Sequence, residues 1–133
     1  MPTDFGKLLD RIKTDNEELK RSEALLLRAY QKLDSRITVL KAGIRIEPYD
    51  AEKSGLKIGF RRYHDGWHIS TVIEGVGGIL SEVPVVEAPP DTQVALMGHV
   101  GDLLEKISES IGARVKTTQG ALKEADRLLS ALP

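Results

Sequence analysis

"LKIGFRRYHDGWHISTVIEG", residues 56–75, sets two runs of alternating apolar and polar side chains on either side of Asp65-Gly66. Alternation at period two is the pattern of a half-buried strand, and Asp-Gly suits the positive φ angles of a two-residue type I′ turn. The stretch predicts a β-hairpin in which His64 faces Trp67, Tyr63 faces His68, Arg62 faces Ile69, Arg61 faces Ser70, Phe60 faces Thr71, Ile58 faces Ile73 and Lys57 faces Glu74. One face then carries Ile58, Phe60, Trp67, Ile69 and Ile73, which is a core face. The other carries Lys57, Arg61, Tyr63, His68, Ser70 and Glu74.

Upstream of the hairpin, Ile44 and Ile46 alternate with Arg45 and Glu47 before a turn in "PYDAEKSG" (48–55). Downstream, "GGILSEVPVVE" (77–87) reads as a short strand whose Pro84 belongs at a sheet edge. The glycines of "GVGGIL" (75–80) are turn glycines, because the spacing of a phosphate-binding loop is missing and no helix follows. Residues 37–90 thus predict a three- or four-stranded antiparallel meander.

On both sides the period changes. Phe5, Ile12, Leu19, Leu26 and Leu33 form a seven-residue column flanked by Leu8, Leu9, Leu25, Ala29 and Tyr30, which predicts a helix over residues 1–36. The column beside it holds Asp15, Asn16, Ser22 and Glu23, which disfavours a dry two-stranded zipper along the whole length. "TDNE" (14–17) would serve as a capping box, yet no Gly or Pro interrupts the run and one helix is the preferred reading. From Asp91, a good N-cap, to residue 133, Leu104, Ser108, Ile111, Val115, Thr118, Leu122, Ala125, Leu129 and Leu132 step by threes and fours through Gly112. That unbroken phase argues for one helix, bent or broken at Gly112 at most.

Scale then constrains the architecture. A helix of some 30 residues spans about 45 Å and one of 40 about 60 Å, while a domain of this length has a radius of gyration near ~14 Å. The reading is a single α+β domain with an antiparallel sheet between two long helices that pair antiparallel, elongated and homodimeric. Phe5, Leu8, Leu9, Ile12 and Leu19, which have little left to cover them within one chain, are the expected oligomer or partner interface; the 104–132 seam is expected to pack on the N-terminal helix.

Composition narrows function. The chain has no cysteine, which removes disulfides, thiol nucleophiles and thiolate metal sites, and a formal charge of −1 gives no global attraction to nucleic acid or anionic membranes. No segment reads as a membrane span or secretory leader, so the expectation is a cytoplasmic protein with no membrane partner. Locally, Arg36, Lys41, Arg45, Lys53, Lys57, Arg61 and Arg62 outnumber Glu47, Asp50 and Glu52. If Arg45 joins the outer hairpin face, then Arg45, Lys57, Arg61, Tyr63 and His68 form a candidate surface for a nucleic acid or small anion. The plainer account is a solvated sheet face, and it is preferred because single-strand binders interleave more aromatics. His64 and His68 straddle the turn and point to opposite faces, and His99 stands alone, so no metal site is read. Asp65, His68 and Ser70 lack the convergence of a catalytic triad. The resulting expectation is a non-enzymatic interaction or scaffolding module without cofactor.

Overall fold

A computed structural model describes residues 4–40, 43–52 and 55–133. Helix α1 (Phe5–Val39) leads to a four-stranded sheet of β1 (Ile46–Asp50), β2 (Lys57–Tyr63), β3 (Gly66–Glu74) and β4 (Leu80–Pro84); α2 (Pro90–Met97) and α3 (Val100–Ala131) follow. The sheet is an antiparallel meander in the order β1-β2-β3-β4, as the alternation predicts. Lys41 and Lys53, counted in the basic excess, and Ser54 of the 48–55 turn lie outside the described residues.

The hairpin keeps its faces but not its register. Phe60 pairs with Ile69, Arg61 with His68 and Tyr63 with Gly66, two residues away from the expected alignment. His64 and Asp65 are the turn residues, and Gly66 alone takes the positive φ, +130°. A type I′ turn needs positive φ at both central positions. His64 and Asp65 avoid that strain by leaving the unusual angle to glycine. A slip of two restores side-chain parity, so Ile58, Phe60 and Ile69 are buried as expected, and Trp67 stacks on Phe60 with ring centroids 5.3 Å apart.

Beside the hairpin, β1 carries a bulge. Ile46 pairs with Phe60 and Tyr49 with Ile58, so Glu47 and Pro48 together oppose Gly59. Proline can sit there because a bulge spares it a ladder donor. A Cβ on Gly59 would lie 2.8 Å from the Ile46 carbonyl oxygen and 3.0 Å from the Pro48 nitrogen. On the other flank Gly77 and Gly78, with φ near +75°, turn the chain from β3 into β4, and the Gly75 N–H donates to the Ile79 carbonyl at 2.7 Å. These are the turn glycines expected from sequence.

The core joins Tyr30 and Ile37 of α1, Ile58, Phe60 and Ile69 of the sheet, Val85, Leu96 of α2, and Val100, Leu103 and Ile107 of α3. Gln93 knits this layer together. Its buried side-chain amide donates to the carbonyls of Val85 and Ala88, and its main-chain carbonyl accepts from the Tyr30 hydroxyl at 2.6 Å. Tyr49 reaches the far side, donating to Asp102 at 2.8 Å beneath the Lys106 ammonium.

Of the expectations about the helices, the unbroken N-terminal helix holds and the others are corrected. α1 runs unbroken through Thr14–Glu17. The C-terminal run does break, but at Gly98–His99, and α3 continues through Gly112 and Gly120. Among the described residues antiparallel pairing of the long helices is not found. Residues 4–22 and 111–133 are exposed throughout, because α1 is seated by its last third, around Tyr30 to Ile37, and α3 by its first, from Val100 to Ile107. The face α3 buries is also rotated from the 104–132 seam, which it presents to solvent.

Gly59→Ala is expected to lower the urea-unfolding free energy by about 2 kcal/mol, the cost of forcing a methyl into a packed site. An equally stable variant would show that the bulge relaxes around it.

Candidate functional site

The outer sheet face assembles part of the expected anion surface. Arg45 meets Glu47 through two hydrogen bonds, at 2.7 and 3.0 Å, and reaches Glu82 of β4 at 3.2 Å. Arg61 approaches the same Glu82 oxygen at 3.5 Å and lies over the Tyr63 ring, 5.1 Å from its centroid. The second Glu82 oxygen accepts from the Ser70 hydroxyl at 2.7 Å. Glu82 is therefore the centre of this cluster, with a side chain only 11% exposed. Two guanidiniums and two carboxylates balance, so the face presents little free positive charge to a phosphate. Burial, with the Glu82 charge, pushes the Tyr63 hydroxyl up to about 12. Lys57 does not join: it pairs across the strands with Asp50, four residues or about 13 Å along β2 from Arg61.

His68 is turned to a different task. Its Nδ1 lies 2.8 Å from Asp34 Oδ2 of α1 and its Nε2 lies 3.0 Å from Asp65 Oδ1 in the turn. A ring with both nitrogens facing carboxylates is stabilised in its doubly protonated form, which donates from both. Burial opposes that charge, yet the hydrogen bonds and charges of Asp34 and Asp65 outweigh it and raise His68 above its ordinary value. The same bond to His68 lowers Asp65, whereas burial raises Asp34 against the bonds it accepts. The other Asp34 oxygen accepts the Ile69 N–H at 2.9 Å. Pairing of β3 with β4 starts only at Ser70–Pro84, so Ile69 extends past the end of β4 and Asp34 takes the place of a strand there. With both ring nitrogens occupied, His68 is not free to act as a base. Among the described residues no group of three or more His, Asp or Glu side chains is arranged to hold a metal.

The interface residues stand together on the free half of α1. Phe5, Leu8, Leu9, Ile12 and Leu19 are all exposed, Ile12 at 63%. Sequence reasoning missed their counterpart: Ile111, Val115, Leu122 and Leu129 of α3 and Leu132 just beyond it, assigned to an intramolecular seam, are exposed too, Leu122 at 59%. It also missed Asp34. The available signal was its position between Tyr30 and Ile37 on one helical face, where a carboxylate has to find a partner.

No protein-family model, curated protein or solved structure matches this chain. Among the described residues no helix is long and apolar enough to cross a membrane.

The raised value of His68 fixes a sign. The stabilisation it contributes is fully present below its unfolded value near ~6.5 and is lost as pH rises through the higher folded value. Unfolding free energy should therefore fall over that window in the parent chain and fall less in His68→Gln. An imidazole NMR titration with its midpoint below the ordinary histidine value would refute the assignment.

Proposed function

We propose that the chain is a non-enzymatic protein-interaction or scaffolding module that self-associates through the apolar stripes of its two long helices and works in the cytoplasm. One observation carries this reading: half of α1 and two thirds of α3 leave the head with apolar side chains at heptad spacing that stay exposed among the described residues. Stripes of this size in water mark surfaces that are used. They also do not suit a membrane surface, because Lys and Arg alternate with Asp and Glu on the polar faces instead of dominating them. A non-enzymatic role is supported by His68, whose nitrogens are both committed to carboxylates. Nucleic-acid or small-anion binding by the sheet face draws less support, since Glu82 lies between Arg45 and Arg61.

Sedimentation velocity at micromolar concentration should show an extended dimer, and Ile12→Glu or Leu122→Glu should each weaken it at least about tenfold while leaving Trp67 fluorescence unchanged. A monomer at every concentration would overturn the reading. Retention on single-stranded oligonucleotide that weakens with salt and is lost in Arg61→Ala would move the assignment to the sheet face.

A further inference from the structure

The two free helix halves leave the head at opposite ends. Advancing along α1, Tyr30 meets Gln93 of α2, Ile37 and Leu40 border Leu104, Ile107 and Ile111 of α3, and beyond them Leu40 and Ile44 border Val115 and Thr118. The free half of α3 therefore runs on past the C-terminal end of α1, while the free half of α1 lies before its N-terminal contact. A two-fold axis across such a molecule lays the α1 half of one copy along the α3 half of the other, antiparallel, and does so twice. The halves match in length: 18 residues (5–22) span about 27 Å and 21 residues (111–131) about 32 Å.

From this we infer that the partner is a second copy of the chain and that the dimer is built by reciprocal exchange, the α1 half of each copy seated on the α3 half of the other. The inference rests on the self-association proposed above and specifies its geometry. In one register Phe5 falls opposite Ala125, Leu8 opposite Leu122, Ile12 opposite Thr118 and Leu19 opposite Ile111, so the layers combine to moderate volumes without two bulky rings meeting. Asp15 then lies opposite Val115 with Arg114 and Lys116 on either side of it, and Glu17 and Glu18 extend the acidic block that these cations face. Lys20 and Arg21 fall opposite Ser110 and Glu109. At the far end Asp4 falls opposite Asp126 and Lys7 opposite Lys123, so the charge match is confined to the stretch from Asp15 to Arg21. Asp15, which a parallel pairing of α1 with itself would set against a second Asp15, is here flanked by cations. The seat exists already: the groove between the end of α1 and α3, about 430 Å³, is lined by Leu40, Ile44, Ile111, Val115 and Thr118 and continues toward Leu104. In the free chain Glu18 is held only by an exposed bond to Arg21 at 3.3 Å, which the exchange can replace at little cost.

The lack of native cysteine makes the test direct. Leu8→Cys and Leu122→Cys chains, mixed in a glutathione buffer, should give mainly the mixed disulfide. In the uncrosslinked chain Glu18→Arg should weaken dimerisation roughly fivefold, and adding Arg114→Glu should restore it. Trp67 fluorescence and far-UV circular dichroism report that the head and helices remain folded. A dimer in which Leu122→Cys links to Ala125→Cys, and not to Leu8→Cys, would overturn the exchange while preserving self-association. A chain that stays monomeric would overturn both.

Discussion

Asp34 sets the rest of the molecule in place. A carboxylate that lies on the core-facing side of a helix has to be paired where it is buried, and here one oxygen closes the unpaired edge of β3 at Ile69 while the other holds His68. Because both partners belong to one strand, α1 has one position along the sheet. Tyr30 then falls within reach of Gln93 and Ile37 within the core. That position also determines how much helix is left over. Four turns or so of α1 are consumed by the head, and residues 4–22 stay exposed.

The head is small for a physical reason. A four-stranded meander with strands of five to nine residues offers one face, and α1, α2 and the first turns of α3 cover it. The opposite face is covered by charge: Arg45, Glu47, Arg61, Glu82 and Ser70 bond one another, with Tyr63 beneath Arg61, although the Arg61 Nε and the Tyr63 hydroxyl are buried without a hydrogen-bond partner among the described residues. The head itself exposes Val76, Ile79 and Leu80 around the β3–β4 turn and Val94 on α2, but the long uncovered apolar stripes lie on the helices outside it.

How far the sequence revealed this depends on whether the deciding physics was local. Strand identity, the buried face of the hairpin and the turn glycines follow from period and composition, and even the wrong register preserved the faces because it was wrong by two. The register was misread because Asp65-Gly66 and His64-Asp65 are both good two-residue turns, and the choice between them rests on where one positive φ is placed. The continuity of α3 through Gly112 was legible in its phase; its start was not, since Gly98 falls in a segment whose apolar residues suit either one helix or two. Arg45, Arg61 and Tyr63 were correctly placed together, but Glu82, which neutralises them, reaches the cluster from a strand 21 residues beyond Arg61. Phe5 to Leu19 were legible as uncovered. The seam of α3 was assigned to α1 because length alone does not say at which end of the head a helix departs.

The free halves also differ from isolated peptides of the same sequence. Helices of some 18 to 21 residues with Gly112, Gly120, Asp15 and Asn16 in them would be marginal in water, because nucleation is costly and these residues weaken propagation. In the intact chain each half grows from a helix already nucleated in the head, which removes that cost at one end and leaves fraying at the other. Any partner that covers the apolar stripes adds its binding energy to helix propagation, so order in the arms and association become one equilibrium. The acidic and neutral residues in the middle of α1 keep this equilibrium from running to indiscriminate aggregation: they weaken pairing with an apolar surface that lacks matching cations. The same side chains that make α1 a poor zipper on its own thereby restrict what it will accept.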